Sequence, residues 1–226
     1  MNLKAICSLT MCLTFVGTAL ATDKTDIGYG SEPVREDCPL DGYDVYTIEQ
    51  QAAIPDDDPD GVLIGPIETA PGGTIGDVIW GVDLEHTYTG DLRVWLYYDI
   101  DCDAVPDIGP VAGLCRAGLD GCEASDCCGC SGDLGGYYYF SDDASDPLGE
   151  FDCPDALAPG CYQTAIDSPD PLSLFDGEAT GGCFWVFVAD GAGLDTGTVF
   201  GATVALETGG STPVEGVTWG EIKSTY

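Results

Sequence analysis

Apolar residues fall on Val78, Trp80, Val82 and Leu84 and again on Leu92, Val94 and Leu96, with Asp83, Glu85, Asp91 and Arg93 between them. A period of two is that of half-buried strands. Thr89-Gly90-Asp91 interrupts it as a turn does, so the stretch predicts two antiparallel strands, each with one face on a core. His86, the only histidine, shares the parity of the apolar set, which points it toward the interior near a strand end, beside Thr87 and Tyr88. Cys183-Phe184-Trp185-Val186-Phe187-Val188 is apolar on both parities. It predicts a central strand whose second face is covered, either by a cysteine-rich insert or by a partner domain docked on Trp185 and Phe187. From Tyr46 to Leu206, short apolar runs alternate with Gly, Pro and Asp clusters, and no helical stripe exceeds two turns. The pattern predicts an all-β sandwich.

The ends read differently. Residues 1–21 combine Lys4, an apolar stretch from Ala5 to Val16, and Ala19-Leu20-Ala21 as a small-residue cleavage site, the plan of a secretory signal peptide. Its apolar run is too short to span a bilayer as a helix. Residues 22–45 are polar and aperiodic and read as a leader or linker. Residues 209–226 open with Gly209-Gly210-Ser211-Thr212-Pro213 and read as a flexible tail, although Trp219, Ile222 and Tyr226 fall at i, i+3 and i+7, the spacing of one face of a short helix. A length of 226 residues suits one domain plus these extras. The expected location is secreted, extracellular or periplasmic.

Forty acids against six bases give a formal charge of −34. Such a surface excludes nucleic acid as a partner and disfavours anionic membranes, whereas divalent cations would relieve its self-repulsion. Of the twelve cysteines, Cys7 and Cys12 belong to the signal segment. The remaining Cys38, Cys102, Cys115, Cys122, Cys127, Cys128, Cys130, Cys153, Cys161 and Cys183 are even in number, and in an oxidising compartment disulfides are the expectation. The cluster from Cys122 to Cys130 lacks the separated ligand pairs and the histidine of a structural zinc site.

Several landmarks together carry a family resemblance. Ala53-Ile54-Pro55-Asp56 precedes Gly73-Thr74-Ile75-Gly76-Asp77-Val78, and Val82 to Leu96 follows. Phe140-Ser141-Asp142-Asp143-Ala144 and Pro171-Leu172-Ser173-Leu174-Phe175-Asp176-Gly177 come next, then Gly182, Phe184, Val186, Val188 and Asp190 at alternate positions, and finally Asp195-Thr196-Gly197-Thr198. In this order they resemble the P domain, or Homo B domain, of subtilisin-like proprotein convertases, over residues 46–208. Phe184 and Ala202 stand where that family usually has tryptophan, and a cysteine-rich insert lies at about 101–161. The resemblance implies a jelly roll of about eight strands in two antiparallel sheets. It also implies a non-catalytic accessory module associated with subtilisin-like serine endopeptidases in proteolysis, with such a protease or another exported protein as partner. The alternatives are a stand-alone adhesion or glycan-binding jelly roll, or a hydrolase built on a carboxylate pair.

Candidate chemistry is sparse. A Ser-His-Asp arrangement needs a histidine base beside an exposed serine, and inward-facing His86 does not suit that role. A carboxylate pair for glycoside hydrolysis would arise by chance among so many acids, most of them in loops. Asp99-Ile100-Asp101-Cys102-Asp103-Ala104-Val105-Pro106-Asp107 is more specific, since carboxylates at alternate positions and again four residues on are how loops offer oxygen to hard cations. The run resembles the calcium repeat of thrombospondin type 3, Asp-x-Asp-x-Asp-Gly-x-Pro-Asp, with Ala104 in place of the glycine. Asp99, Asp101, Asp103 and Asp107 are therefore the expected calcium ligands. Asp56, Asp57, Asp58 and Asp60 form a second, looser cluster.

Overall fold

The computed structural model describes residues 38–114, 132–145, 157–164 and 171–209. The signal segment, most of the leader, Cys115, Cys122, Cys127, Cys128, Cys130, Cys153 and the tail lie outside the described residues. Among the described residues nine strands run in the order β1 (Asp44–Ile54), β2 (Asp58–Glu68), β3 (Thr74–His86), β4 (Leu92–Asp99), β5 (Ile108–Leu114), β6 (Leu134–Phe140), β7 (Gly160–Tyr162), β8 (Cys183–Asp190) and β9 (Gly197–Gly209). They form a five-stranded sheet, β1-β9-β3-β6-β7, and a four-stranded sheet, β2-β8-β4-β5.

The pairing is nested. β4 pairs with β5, β3 with β6, β2 with β8 and β1 with β9, all antiparallel. Rolled into two sheets, these four pairs make an all-β jelly-roll sandwich of eight strands. The ninth strand, β7, adds to β6 in parallel, the one departure from antiparallel order.

β3 and β4 sit in different sheets rather than pairing with each other. A 3-10 turn at Thr89–Asp91 carries the chain from one sheet to the other. The even-numbered side chains of the two strands therefore face each other across the core, where Val78, Trp80, Val82, Leu84, Leu92, Val94 and Leu96 are all fully buried. Trp80 packs on Phe140 with ring centroids 4.7 Å apart, and Tyr98 packs on Phe184 at 4.4 Å. Phe184 and Ala202 are also buried in this layer.

Two readings of organisation change. Residues 38–45, read as leader, belong to the folded unit: Cys38 is disulfide-bonded to Cys161, and β1 begins at Asp44. Cys38, Leu40 and Tyr43 join Ile79, Tyr139 and Ala205 in a small apolar cluster on the outer face of the five-stranded sheet. The span read as a cysteine-rich insert contains two of the roll's own strands, β5 and β6.

β8 is central, between β2 and β4. Its inward residues Phe184, Val186 and Val188 are buried, while Trp185 and Phe187 are half-buried on the outer face. There Trp185 lies opposite Tyr97, and Phe187 opposite Trp95. Trp95 and Phe187 have ring centroids 5.8 Å apart, and the Arg93 guanidinium sits 5.4 Å from the Trp95 ring centroid, within cation–π range.

Candidate metal centre

The β4–β5 connection spans residues 100–107. It leaves β4 at Asp99, which lies opposite Cys183 of β8. It closes where the Asp107 N–H donates to the Tyr98 carbonyl at 3.0 Å. Between these points the backbone turns sharply, with Cys102 at φ 58° and Ala104 at φ 68°. Both lie in the left-handed region, which is costly for a side chain bearing Cβ. Ala104 thus holds the conformation that a glycine at this place would adopt freely. The Cys102–Cys183 disulfide ties the loop back to the start of β8.

Carboxylates organise the turn through backbone donors. The Ala104 N–H donates to Asp99 Oδ2 at 2.8 Å, and the Ile100 N–H donates to Asp107 Oδ2 at 2.9 Å. Asp99, Asp101 and Asp107 each bring an oxygen within 4.8 Å of the others. Asp103 is not in this group; its Oδ1 accepts the Val105 N–H at 2.9 Å. Its charge still acts on the loop, since Asp103 is the foremost cause of the raised Asp101 pKa.

One atom stands apart. Asp99 is fully buried, and its Oδ1 is the only buried side-chain oxygen without a hydrogen-bond partner among the described residues. Leaving a polar atom in that state costs about 1–3 kcal/mol, and more for a charged group. A divalent cation would satisfy it. Calcium takes oxygens at about 2.3–2.6 Å, so ligands on opposite sides of one ion stand about 4.6–5.2 Å apart. Three carboxylate oxygens within 4.8 Å fit that span. Asp101 and Asp107 are exposed, which leaves room for water to complete a shell of six to eight oxygens.

The looser cluster behaves otherwise. Asp56, Asp57, Asp58 and Asp60 form no such group among the described residues. Asp58 Oδ1 accepts the Asp60 N–H at 3.0 Å, and Asp56 Oδ1 accepts the Leu194 N–H at 3.0 Å. Asp58 thus fastens its own turn, and Asp56 ties the β1–β2 connection to the loop at Leu194.

His86 has a partner that its local sequence does not reveal. Its imidazole is 2% exposed, and Nε2 lies 3.2 Å from Oδ2 of the buried Asp190. Nδ1 lies 2.8 Å from the Tyr88 carbonyl oxygen and 3.1 Å from the Tyr88 nitrogen. Because His86 ends β3 and Asp190 ends β8, the contact joins the two sheets. Both ring nitrogens are engaged in holding that end of the sandwich.

Fold and loop together define a jelly-roll domain with an acidic, cation-sized site at one hairpin. No family model matches the chain, and no curated protein matches it. Among solved structures it is similar to infectious bursal disease virus, Gt strain, at 17% identity and a TM-score of 0.33, covering 88% of this chain and 41% of that one. The VP2 subviral particle of the same virus matches at 17% identity and a TM-score of 0.31, covering 84% of this chain and 39% of that one. The chain therefore spans about two fifths of the length of these chains.

Proposed function

We propose that this chain is an exported, non-catalytic binding module whose β4–β5 loop takes calcium through Asp99, Asp101 and Asp107. The observation that carries the reading is the buried, unpartnered Asp99 Oδ1 beside two exposed carboxylates. Calcium would supply the missing partner and offset part of the negative charge that Asp99, Asp101, Asp103 and Asp107 concentrate in the loop. The two disulfides among the described residues support an oxidising compartment. The engagement of both His86 nitrogens favours a structural role for that residue.

The P-domain resemblance suggests the partner, a subtilisin-like serine endopeptidase that the module stabilises by contact. The outer face of β4 and β8, with Trp95, Tyr97, Trp185 and Phe187, supports contact as the mode of action, since aromatic side chains dominate protein–protein hot spots.

Thermal unfolding of the oxidised protein in calcium and in chelator tests the metal site. A ligand that binds only the native state adds about 2.7 kcal/mol at a hundredfold excess over its dissociation constant, so the midpoint rises in calcium. An unchanged midpoint sinks the reading. Native co-purification tests the partner: a subtilisin-like protease should be retained by the wild-type module and lost with Trp185→Ser/Phe187→Ser.

A further inference from the structure

We propose that the Cys102–Cys183 disulfide and cation binding at the β4–β5 loop are coupled: opening this bond with a dithiol releases the cation, and the bound cation protects the bond. The inference rests on the calcium reading above and concerns the regulation of that site.

The geometry places the bond inside the site. Cys102 follows Asp101 in the chain, and its partner Cys183 is the register neighbour of Asp99. The disulfide thus ties the exposed arm of the carboxylate group to the strand that flanks the buried arm. The other fastenings of the loop reach elsewhere. Ala104 N–H holds Asp99, Ile100 N–H holds Asp107, and Val105 N–H holds Asp103. None of these secures the 101–103 segment to β8.

Cys102 also sits at φ 58°, a conformation costly for a residue with Cβ. With the bond open, the mutual repulsion of Asp99, Asp101, Asp103 and Asp107 favours a splayed loop. A cation works in the opposite direction, drawing Asp101 toward Asp99 and keeping Cys102 within bonding reach of Cys183.

The chemistry is ordinary thiol–disulfide exchange. Cys102 is exposed and Cys183 fully buried, so an external dithiol thiolate attacks the Cys102 sulfur. The Cys102–Cys183 bond breaks, and Cys183 leaves as a thiolate that takes a proton from water. The second thiol of the reagent then attacks the mixed disulfide, freeing Cys102 and leaving the reagent as its own disulfide. Two electrons pass from the dithiol to the protein.

Coupling between sites is reciprocal: the factor by which bond opening weakens cation binding equals the factor by which the cation shifts the thiol–disulfide equilibrium. Typical couplings are about 5- to 150-fold. Each tenfold moves a two-electron potential by about 30 mV. Cys38–Cys161 lies at the outer face of the other sheet and serves as an internal control.

The experiment uses the oxidised full chain. Calcium affinity is measured by competition with a chromophoric chelator for the wild type and for Cys102→Ser/Cys183→Ser. In parallel, wild type is equilibrated in dithiothreitol redox buffers with and without calcium, and each bond is followed by alkylation and peptide mass spectrometry. The coupling predicts at least about fivefold weaker calcium binding by the double variant. It also predicts a matching calcium-dependent shift at Cys102–Cys183 toward the oxidised form, none at Cys38–Cys161, and a smaller shift at Cys102–Cys183 in Asp99→Asn at the same calcium concentration. If wild type and the folded double variant bind calcium equally, or both bonds shift together, the coupling is overturned and the metal site stands. If wild type binds no calcium, the metal reading falls and the coupling with it. Should the double variant fail to fold, the redox titration of the wild type decides alone.

Discussion

Replacing Asp99 by asparagine should stabilise the protein in chelator and relatively destabilise it in calcium. The substituted side chain keeps the acceptor for the Ala104 N–H, because its amide oxygen can occupy the place of Oδ2. Its NH2 group then stands where Oδ1 has no partner, and donates toward the carboxylates of Asp101 and Asp107. Removing a buried unsatisfied oxygen should gain about 1–3 kcal/mol in the cation-free protein. In calcium the balance changes. At a hundredfold excess over its dissociation constant, the wild type gains about 2.7 kcal/mol. If loss of the buried carboxylate weakens binding about a hundredfold, the variant gains only about 0.4 kcal/mol at the same calcium concentration. The stability difference should therefore move by about 2.3 kcal/mol in favour of wild type between chelator and calcium. Urea unfolding under both conditions, followed by tryptophan fluorescence, measures this directly. A difference that stays the same within about 0.5 kcal/mol, or a variant that is already the weaker in chelator, would refute the reasoning.

Three further perturbations have definite signs. Ala104→Gly should raise stability by about 0.5–1 kcal/mol in denaturant titrations, because relief of a left-handed alanine outweighs the extra chain entropy of glycine; a loss would contradict the strain at this turn. His86→Leu leaves the Asp190 carboxylate buried without its imidazole and should cost about 2–4 kcal/mol, whereas a change under about 1 kcal/mol would show that the contact does not clamp the two sheets. Burial, and then the charge of Glu85, raises the pKa of Asp83. A pKa raised on folding contributes stability below the ordinary carboxylate range and loses it as pH rises through the raised value. Asp83→Asn should thus stabilise at neutral pH by about 1 kcal/mol or less for this half-exposed group, with the gain vanishing near about pH 3; a pH-independent difference would count against that origin.

Strands that are half-buried with a clean period of two are legible in the amino-acid pattern alone, as β3 and β4 illustrate. β8 is legible too, because a strand buried on one face and aromatic on the other has no polar parity. β5 is not. Gly109, Pro110 and Gly113 break its pattern, yet Gly113 is demanded by packing: a Cβ there would lie 2.7 Å from Trp80 Cζ2 and from Phe140 Cε2. β7 has three residues and pairs in parallel, too short for any periodicity to register. At the loop, carboxylates at alternate positions and again four residues on single out Asp99, Asp101, Asp103 and Asp107, of which the fold brings Asp99, Asp101 and Asp107 together. The spacing cannot tell that Asp103 turns to fasten the Val105 N–H, because that depends on the local path around Ala104. The partners of Cys102 and His86 lie 81 and 104 residues away, distances at which only the folded topology decides who meets whom.

The extreme charge makes the exception at Asp99 meaningful. Arg93 is the only lysine or arginine among the described residues, so ion pairing with bases can relieve few of the carboxylates. The domain uses its own backbone instead. Asp56, Asp58, Asp103, Asp107, Asp142 and Asp190 each accept a main-chain N–H, three of them from two residues on and the others across longer loops or between distant segments. Acid-rich loops are thereby converted into fastened turns, a use of aspartate that needs no cation. Asp99 follows the same rule with one oxygen and breaks it with the other, at a fully buried position. A chain this acidic could have placed a backbone donor there, as it does elsewhere. That it places two exposed carboxylates beside the open oxygen is what sets this loop apart from the other aspartate turns.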